Sequence, residues 1–192
     1  DGECASLIRL AIGEYKNWRP EEKSFSGGDW LTLSLNHPIG RLATSLLGFS
    51  RRIARERGDD LNREMEALFG ELILVSMGDK EAGNCFATIV FSEANYWIDT
   101  VHDTFSSKIL PLLEEDSGYA QGAWCGLGYL GVLSEELWRG VRTYWRQVLS
   151  NGEPHEGVSN ARIKKTFLWS SILYDGSASR EELFGACRHN PA

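Results

Sequence analysis

Cysteine and positive charge are both in short supply in this chain, and each shortage excludes something. Only four cysteines occur in 192 residues. They stand far apart, at Cys4, Cys85, Cys125 and Cys187, with no C-x-x-C pair. That spacing argues against a zinc site and against a dense disulfide framework. Each is expected as a small buried hydrophobe in a reducing compartment, which makes the expected location cytoplasmic. Lys and Arg number 20 against 27 Asp and Glu, a net charge of −7. A protein that tracks phosphates needs the opposite balance, so nucleic acid is not expected as a direct partner. No apolar run approaches the roughly 18 residues needed to span a bilayer, and no secretory h-region opens the chain. The expectation is therefore a soluble chain with no membrane partner. With Asp1 in place of Met and an arbitrary-looking end at Pro191-Ala192, it reads as a piece of a longer protein.

What is present is helical periodicity. Apolar residues recur at spacings of three and four in nearly every long segment, which predicts an all-α fold. Residues 3–16 place Leu7, Leu10, Ala11 and Tyr15 on one side. The stretch from Asp29 to Leu35 alternates at Leu31, Leu33 and Leu35, and fits a strand or a helix. Ile39, Leu42, Leu46, Phe49 and Ile53 form a clear stripe, with Asn36 as a candidate cap, Pro38 in the first turn and Gly58 as the stop behind Arg55 and Arg57. Asp60 is placed to cap the next helix, whose stripe is Leu61, Met65, Leu68, Leu72 and Val75. A third helix pair begins near Glu81, with Ala82, Phe86, Ile89 and Val90 inward, and continues through Tyr96, Trp97, Phe105, Ile109 and Leu112, with Pro111 bending or ending its helix early. Another pair covers residues 119–149, and the closing helices carry Ile163, Phe167, Leu168 and Ile172, then Ser179 and Glu182 as a capping box.

Leading helices start near Ile39, Ala82, Tyr119 and Val158. The step of roughly 40 residues lies in the range of HEAT-type helix pairs. The architecture is thus expected to be stacked antiparallel helix hairpins, HEAT-like, or one irregular helical bundle. Residues 1–192 read as a single helical domain, with 1–28 as a separable leading helix and loop.

Candidate chemistry is thin. Gly126-Leu127-Gly128-Tyr129-Leu130-Gly131 matches G-x-G-x-x-G, but a dinucleotide site needs that match between a strand and a helix. Here it follows a helical stretch, and the glycines are expected to let two helices approach closely. His37, His102, His155 and His189 are scattered. His102 and Asp103 are adjacent and point in different directions on a helix, with no nucleophile indicated. His37 before Pro38 reads as a helix-start residue. Glu114, Glu115 and Asp116 read as a solvated turn, since a hard-metal site needs further oxygen ligands. No catalytic residue, metal site or cofactor is assigned.

The candidate interaction residues are Trp138, Trp145 and Trp169, each near Arg or Lys, together with Arg51, Arg52 and Arg55 of the one basic cluster. Seven Trp is a high count, and Trp and Arg are over-represented among interface anchors. The rival reading puts Trp138 and Trp145 into the apolar stripe of Leu137, and the arginines on a solvated helix face. Trp124, on one stripe with Ala120 and Leu127, is expected to be buried.

The stretch Trp30…Leu35-Asn36-His37-Pro38-Ile39-Gly40-Arg41-Leu42 resembles a signature of the C-terminal helical domain of large bacterial sirtuin-like anti-phage defence proteins. Two later stretches are similar to the same family: Trp97 followed by Ile109-Leu110-Pro111-Leu112-Leu113, and Ala120…Ala123-Trp124-Cys125-Gly126-Leu127…Leu133-Ser134. Order and spacing agree over residues 30–150. The chain departs from the pattern at Leu113-Glu114, where Phe-Asp is expected, and at Glu93-Ala94-Asn95, where an Asp-bearing turn is expected. The resemblance implies that an amino-terminal sirtuin-like domain elsewhere carries NAD-consuming chemistry. Its Gly-rich loop and catalytic His are not in this chain. The helical part would sense phage components, hold the enzyme off or build an oligomer. The resulting expectation is a non-catalytic scaffold or sensor region whose partner is another protein or the rest of its own chain. A stand-alone enzyme with a dispersed site and a generic helical interaction module are the alternatives.

Overall fold

A computed structural model describes residues 2–17, 29–54, 59–98, 105–114, 117–144, 160–176 and 181. They form an all-α bundle, with no strand among the described residues. In chain order the helices are α1 (Gly2–Asn17), α2 (Trp30–Asn36), α3 (Pro38–Ala54), α4 (Asp59–Ser76), α5 (Lys80–Ser92), α6 (Ala120–Tyr129), α7 (Glu135–Val141) and α8 (Asn160–Tyr174). None of the described helices is long and apolar enough to cross a membrane.

The residues between Asp29 and Leu35 are helical. The Asp29 carboxylate accepts from the Leu31 amide at 3.1 Å and so caps α2. Burial follows the i, i+4 pair Trp30 and Ser34, while Leu35 is exposed, so the alternation of leucines does not reflect a sheet face. Asn36 is not a cap: its amide donates back to the Thr32 carbonyl at 2.8 Å. The cap of α3 is His37, whose Nδ1 accepts from the Ile39 amide at 3.2 Å. The turn between α2 and α3 is tight enough that a Cβ on Gly40 would lie 1.9 Å from the Ser34 carbonyl oxygen. Helix α4 starts at Asp59, so Asp60 lies inside it. Gly58, Arg55 and Arg57 lie outside the described residues.

Helix α5 is the centre. Asp79 caps it by accepting from the Glu81 and Ala82 amides at 2.8 and 3.4 Å, and all residues from Ala82 to Phe91 are buried. Buried on all sides, α5 is packed by α2, α3, α4 and α6. It stops at Ser92, and where the periodicity predicts the second helix of the pair the described residues hold a 3₁₀ turn (Ala94–Tyr96), a π-turn (Phe105–Ile109) and a second 3₁₀ turn (Leu110–Leu113). Pro111 sits in the first turn of that last element, where its missing N–H is harmless. Tyr96, expected inward, is exposed. Trp97 is fully buried, stacked on Phe69 at 5.3 Å and edge-on to Phe105 at 5.5 Å, with Nε1 donating to the Val90 carbonyl.

The helix starts at Pro38, Lys80, Ala120 and Asn160 preserve the step of roughly 40 residues. Gly83 meets Tyr119, Gly122 meets Asn84 and Gly126 meets Thr88, so α5 and α6 run in the same direction. Trp124 meets Phe167 and Gly128 meets Ile163, so α8 runs against α6. The repeat step therefore does not carry a repeated orientation through to α8. Spacing in sequence records where helices begin and is blind to their direction.

Candidate functional site

The expected interaction residues fall in different environments. Trp138 is a correction: it is 1 % exposed, with Nε1 donating to Asp175 at 2.9 Å and its ring edge-on to Phe167 at 5.4 Å. Leu137, Trp138 and Val141 all face inward on α7, so the indole serves the core. Trp145 lies outside the described residues. Trp169 is half exposed on α8, beside Leu173 and Tyr174, which are also exposed. Arg51 is not part of a free basic face. Its guanidinium pairs with Glu93 and lies over the Tyr96 ring at 5.0 Å. The Arg52 side chain and Arg55 lie outside the described residues, as do His102, Asp103, His155, His189, Glu115, Asp116 and Cys187. Cys4 is exposed, against expectation, because it sits off the buried row Ala5, Ile8 and Ile12 of α1.

Each stretch that carries the family resemblance has a packing role. Trp30 closes a small cluster with Cys85 and Cys125. Trp97, Leu113, Trp124 and Leu133 are core residues, and Ser134 caps α7 by accepting from the Leu137 amide. Four residues of the first stretch do something else. Asn36, Pro38, Arg41 and Leu42 line one wall of an open groove of about 810 Å³. The other wall is α1, through Leu7, Leu10, Ala11 and Tyr15. These are the residues the periodicity places on one side of the first helix. The core-facing row is a different one, Ala5, Ile8 and Ile12. Helix α1 is therefore apolar on two sides, one against the bundle and one facing the groove, where Leu7 and Leu10 remain 64 % and 61 % exposed.

Beneath the groove a titratable cluster joins three elements. Tyr15 of α1 stands edge-on to His37 at 6.2 Å, and Asp79, Glu81 and Cys85 of α5 act on them electrostatically. Burial, with Asp79 next, pushes the Tyr15 phenol up to about 12. Burial likewise pushes the Cys85 thiol up to about 12, against a hydrogen bond with Ser34 that works the other way. Burial lowers His37, with Asp79 opposing. All three shifts favour the neutral form at neutral pH, which suits packing and works against a thiolate nucleophile. No group of three or more His, Cys, Asp or Glu placed to hold a metal ion occurs among the described residues. A second polar set lies at α6, where the Tyr129 hydroxyl donates to Asp29 at 2.8 Å and Arg162 lies over its ring at 4.6 Å.

His37 gives a pH prediction. As a cap its Nδ1 must accept, so the proton belongs on Nε2, and a second proton would replace the acceptor with a donor. Its folded pKa is lowered, so the unfolded chain binds the proton more readily. Stability is then full above the unfolded value of about 6.5 and falls as pH drops below it. His37→Asn keeps a cap without the titration, and the fall in melting temperature between pH 7.5 and 5.5 should shrink. An identical pH slope in the variant would show that His37 is not the titrating group.

The glycine match is settled by geometry. A Cβ on Gly126 would lie 2.4 Å from the Thr88 carbonyl oxygen, so this glycine does admit a close helix approach. Gly128 is less crowded, at 3.4 Å from Ile163, and Gly131 takes φ +71° at the end of the α6 region. The most crowded glycine of α6 is Gly122, outside the match, whose Cβ would fall 2.1 Å from the Asn84 carbonyl oxygen. The set serves helix packing and turn formation, with no strand before it among the described residues.

The fold and groove define an all-α helical bundle with an exposed apolar cleft. Comparison with family models, with curated proteins and with solved structures gives no match to this chain.

Proposed function

We propose that this chain is a non-catalytic helical scaffold or sensor region of a bacterial anti-phage defence protein and acts through protein–protein contacts. One observation carries the reading. The motif residues Asn36, Pro38, Arg41 and Leu42 line an exposed apolar groove, with Leu42 also resting against the edge of the core. Contiguous apolar surface rimmed by polar side chains is the usual mark of a protein contact. The neutral Tyr15, His37 and Cys85 beneath it lend support, since they serve packing better than proton transfer.

The test is a phage challenge of bacteria expressing the gene that encodes this chain. Protection should be lost with Leu42→Asp, and the purified chain should leave NAD intact. A wild-type gene that never alters plating efficiency would remove the defence role. NAD hydrolysis by the chain itself would remove the non-catalytic one.

A further inference from the structure

We propose that the groove between α1 and α3 takes an amphipathic helix from a partner protein, seated on Leu7, Leu10 and Leu42 and oriented by the opposed charges of Glu14 and Arg41. This rests on the protein-contact reading above and can fail separately from it.

Both walls are helices whose rows match a third helix. On α1 the lining residues Leu7, Leu10, Ala11 and Glu14 recur at i, i+3, i+4 and i+7. On α3 Pro38, Arg41, Leu42 and Ser45 repeat the same pattern. Such rows are the ridges into which another helix interdigitates. Seven residues of helix cover about 10 Å, so the groove accommodates about two turns of the occupant. The backbones of both walls are hydrogen-bonded within their own helices. An extended peptide would find no sheet edge to pair with and would leave its own amides unpaired against leucine, whereas a helix satisfies its backbone internally.

Charge narrows the chemistry. Arg9, on the other side of α1, is taken by Glu64 and Glu71 of α4. Glu14 and Arg41 both line the groove, are exposed and have no ion pair among the described residues. They stand on opposite walls, one anionic and one cationic. An occupant with a basic side chain beside Glu14 and an acidic one beside Arg41 is favoured in one orientation and disfavoured in the reverse.

The experiment uses the full 192-residue chain. The probe is a display library of amphipathic helices of about 14 residues, four turns, with fixed leucines and randomised flanking positions. Selection on the wild-type chain should enrich sequences with an acidic residue on one flank of the leucine row and a basic residue on the other. Leu10→Asp should weaken the selected peptide at least about tenfold, equivalent to about 1.4 kcal/mol. The double swap Glu14→Lys with Arg41→Glu leaves the apolar floor untouched and should invert the charge preference. No enrichment over the Leu10→Asp chain overturns the proposal, as does enrichment indifferent to the swap. If Leu10→Asp instead changes the sedimentation of the chain alone, the groove belongs to a second copy and the partner-helix assignment is wrong. Loss of phage protection in Leu42→Asp without peptide selection would leave a protein contact in place and remove the helix.

Discussion

Gly122→Ala should lower the melting temperature by about 6–12 °C, corresponding to about 3 kcal/mol at this chain length. The added Cβ would sit 2.1 Å from the Asn84 carbonyl oxygen and within 2.8 Å of its carbonyl carbon and Cα. Those are backbone atoms of the central helix, so no rotamer change relieves the clash. Helices α5 and α6 must separate. Overpacking against flexible side chains typically costs about 1–3 kcal/mol, and a rigid neighbour puts the cost at the upper end or beyond. Separation also breaks a buried polar link. The Gly122 amide, one of the unpaired donors of the first turn of α6, donates to Asn84 Oδ1 at 2.7 Å, while Asn84 Nδ2 donates to the Lys80 and Gly118 carbonyls. Gly128→Ala is the matched control. Its Cβ meets Ile163 at 3.4 Å and Arg162 at 3.6 Å, near-ordinary contacts, and replacing a helical glycine recovers about 0.5–1 kcal/mol of chain entropy. Thermal melts of the two variants test the difference. Equal melting temperatures would mean that the α5–α6 contact is looser than the structure has it.

Trp124→Ala should cost about 3–5 kcal/mol, the range for large aromatic truncation in a core. The indole is 2 % exposed, packs on Phe167 at 5.8 Å, and its Nε1 donates to the Leu113 carbonyl at 3.2 Å. It joins α6, α8 and the 3₁₀ turn before α6, so its loss removes contacts to three elements at once. Trp124→Phe separates the two contributions. It keeps most of the apolar contact but leaves the Leu113 carbonyl unpaired, at a cost of about 1–3 kcal/mol. Chemical denaturation should rank Ala below Phe below wild type. If Trp124→Ala melts like the wild type and loses only partner binding, the residue is an exposed anchor and this account of the core fails.

The stripes of α3 and α4 were legible because one face of each is buried and period 3.6 is visible in the residues themselves: Ile39, Leu46 and Phe49 on α3, and Met65, Leu68 and Leu72 on α4, all lie in the core. The groove was half legible. Leu7, Leu10, Ala11 and Tyr15 stood out as one apolar face, but periodicity alone assigns such a face to the core, and α1 carries a second apolar row that took that place. Trp138 was misread for a related reason. Neighbouring Arg residues in sequence say little about an indole on a short helix whose charged positions point outward and whose Leu137 stripe points in. Arg51 looked like a free cation until Glu93, distant in sequence, was brought beside it by the packing of α3 against α5.

Sequence alone determined the secondary-structure class, several helix starts to within a few residues and the burial of Trp124, because proline and three-to-four spacing are local physics. Tertiary structure alone decided which apolar face is covered, which glycine of α6 bears the tightest contact and that α8 runs against α6. Those outcomes depend on pairings between residues far apart in the chain. The close contact of Gly122 with Asn84 is set by how two helices meet, and neither helix's own pattern contains that distance.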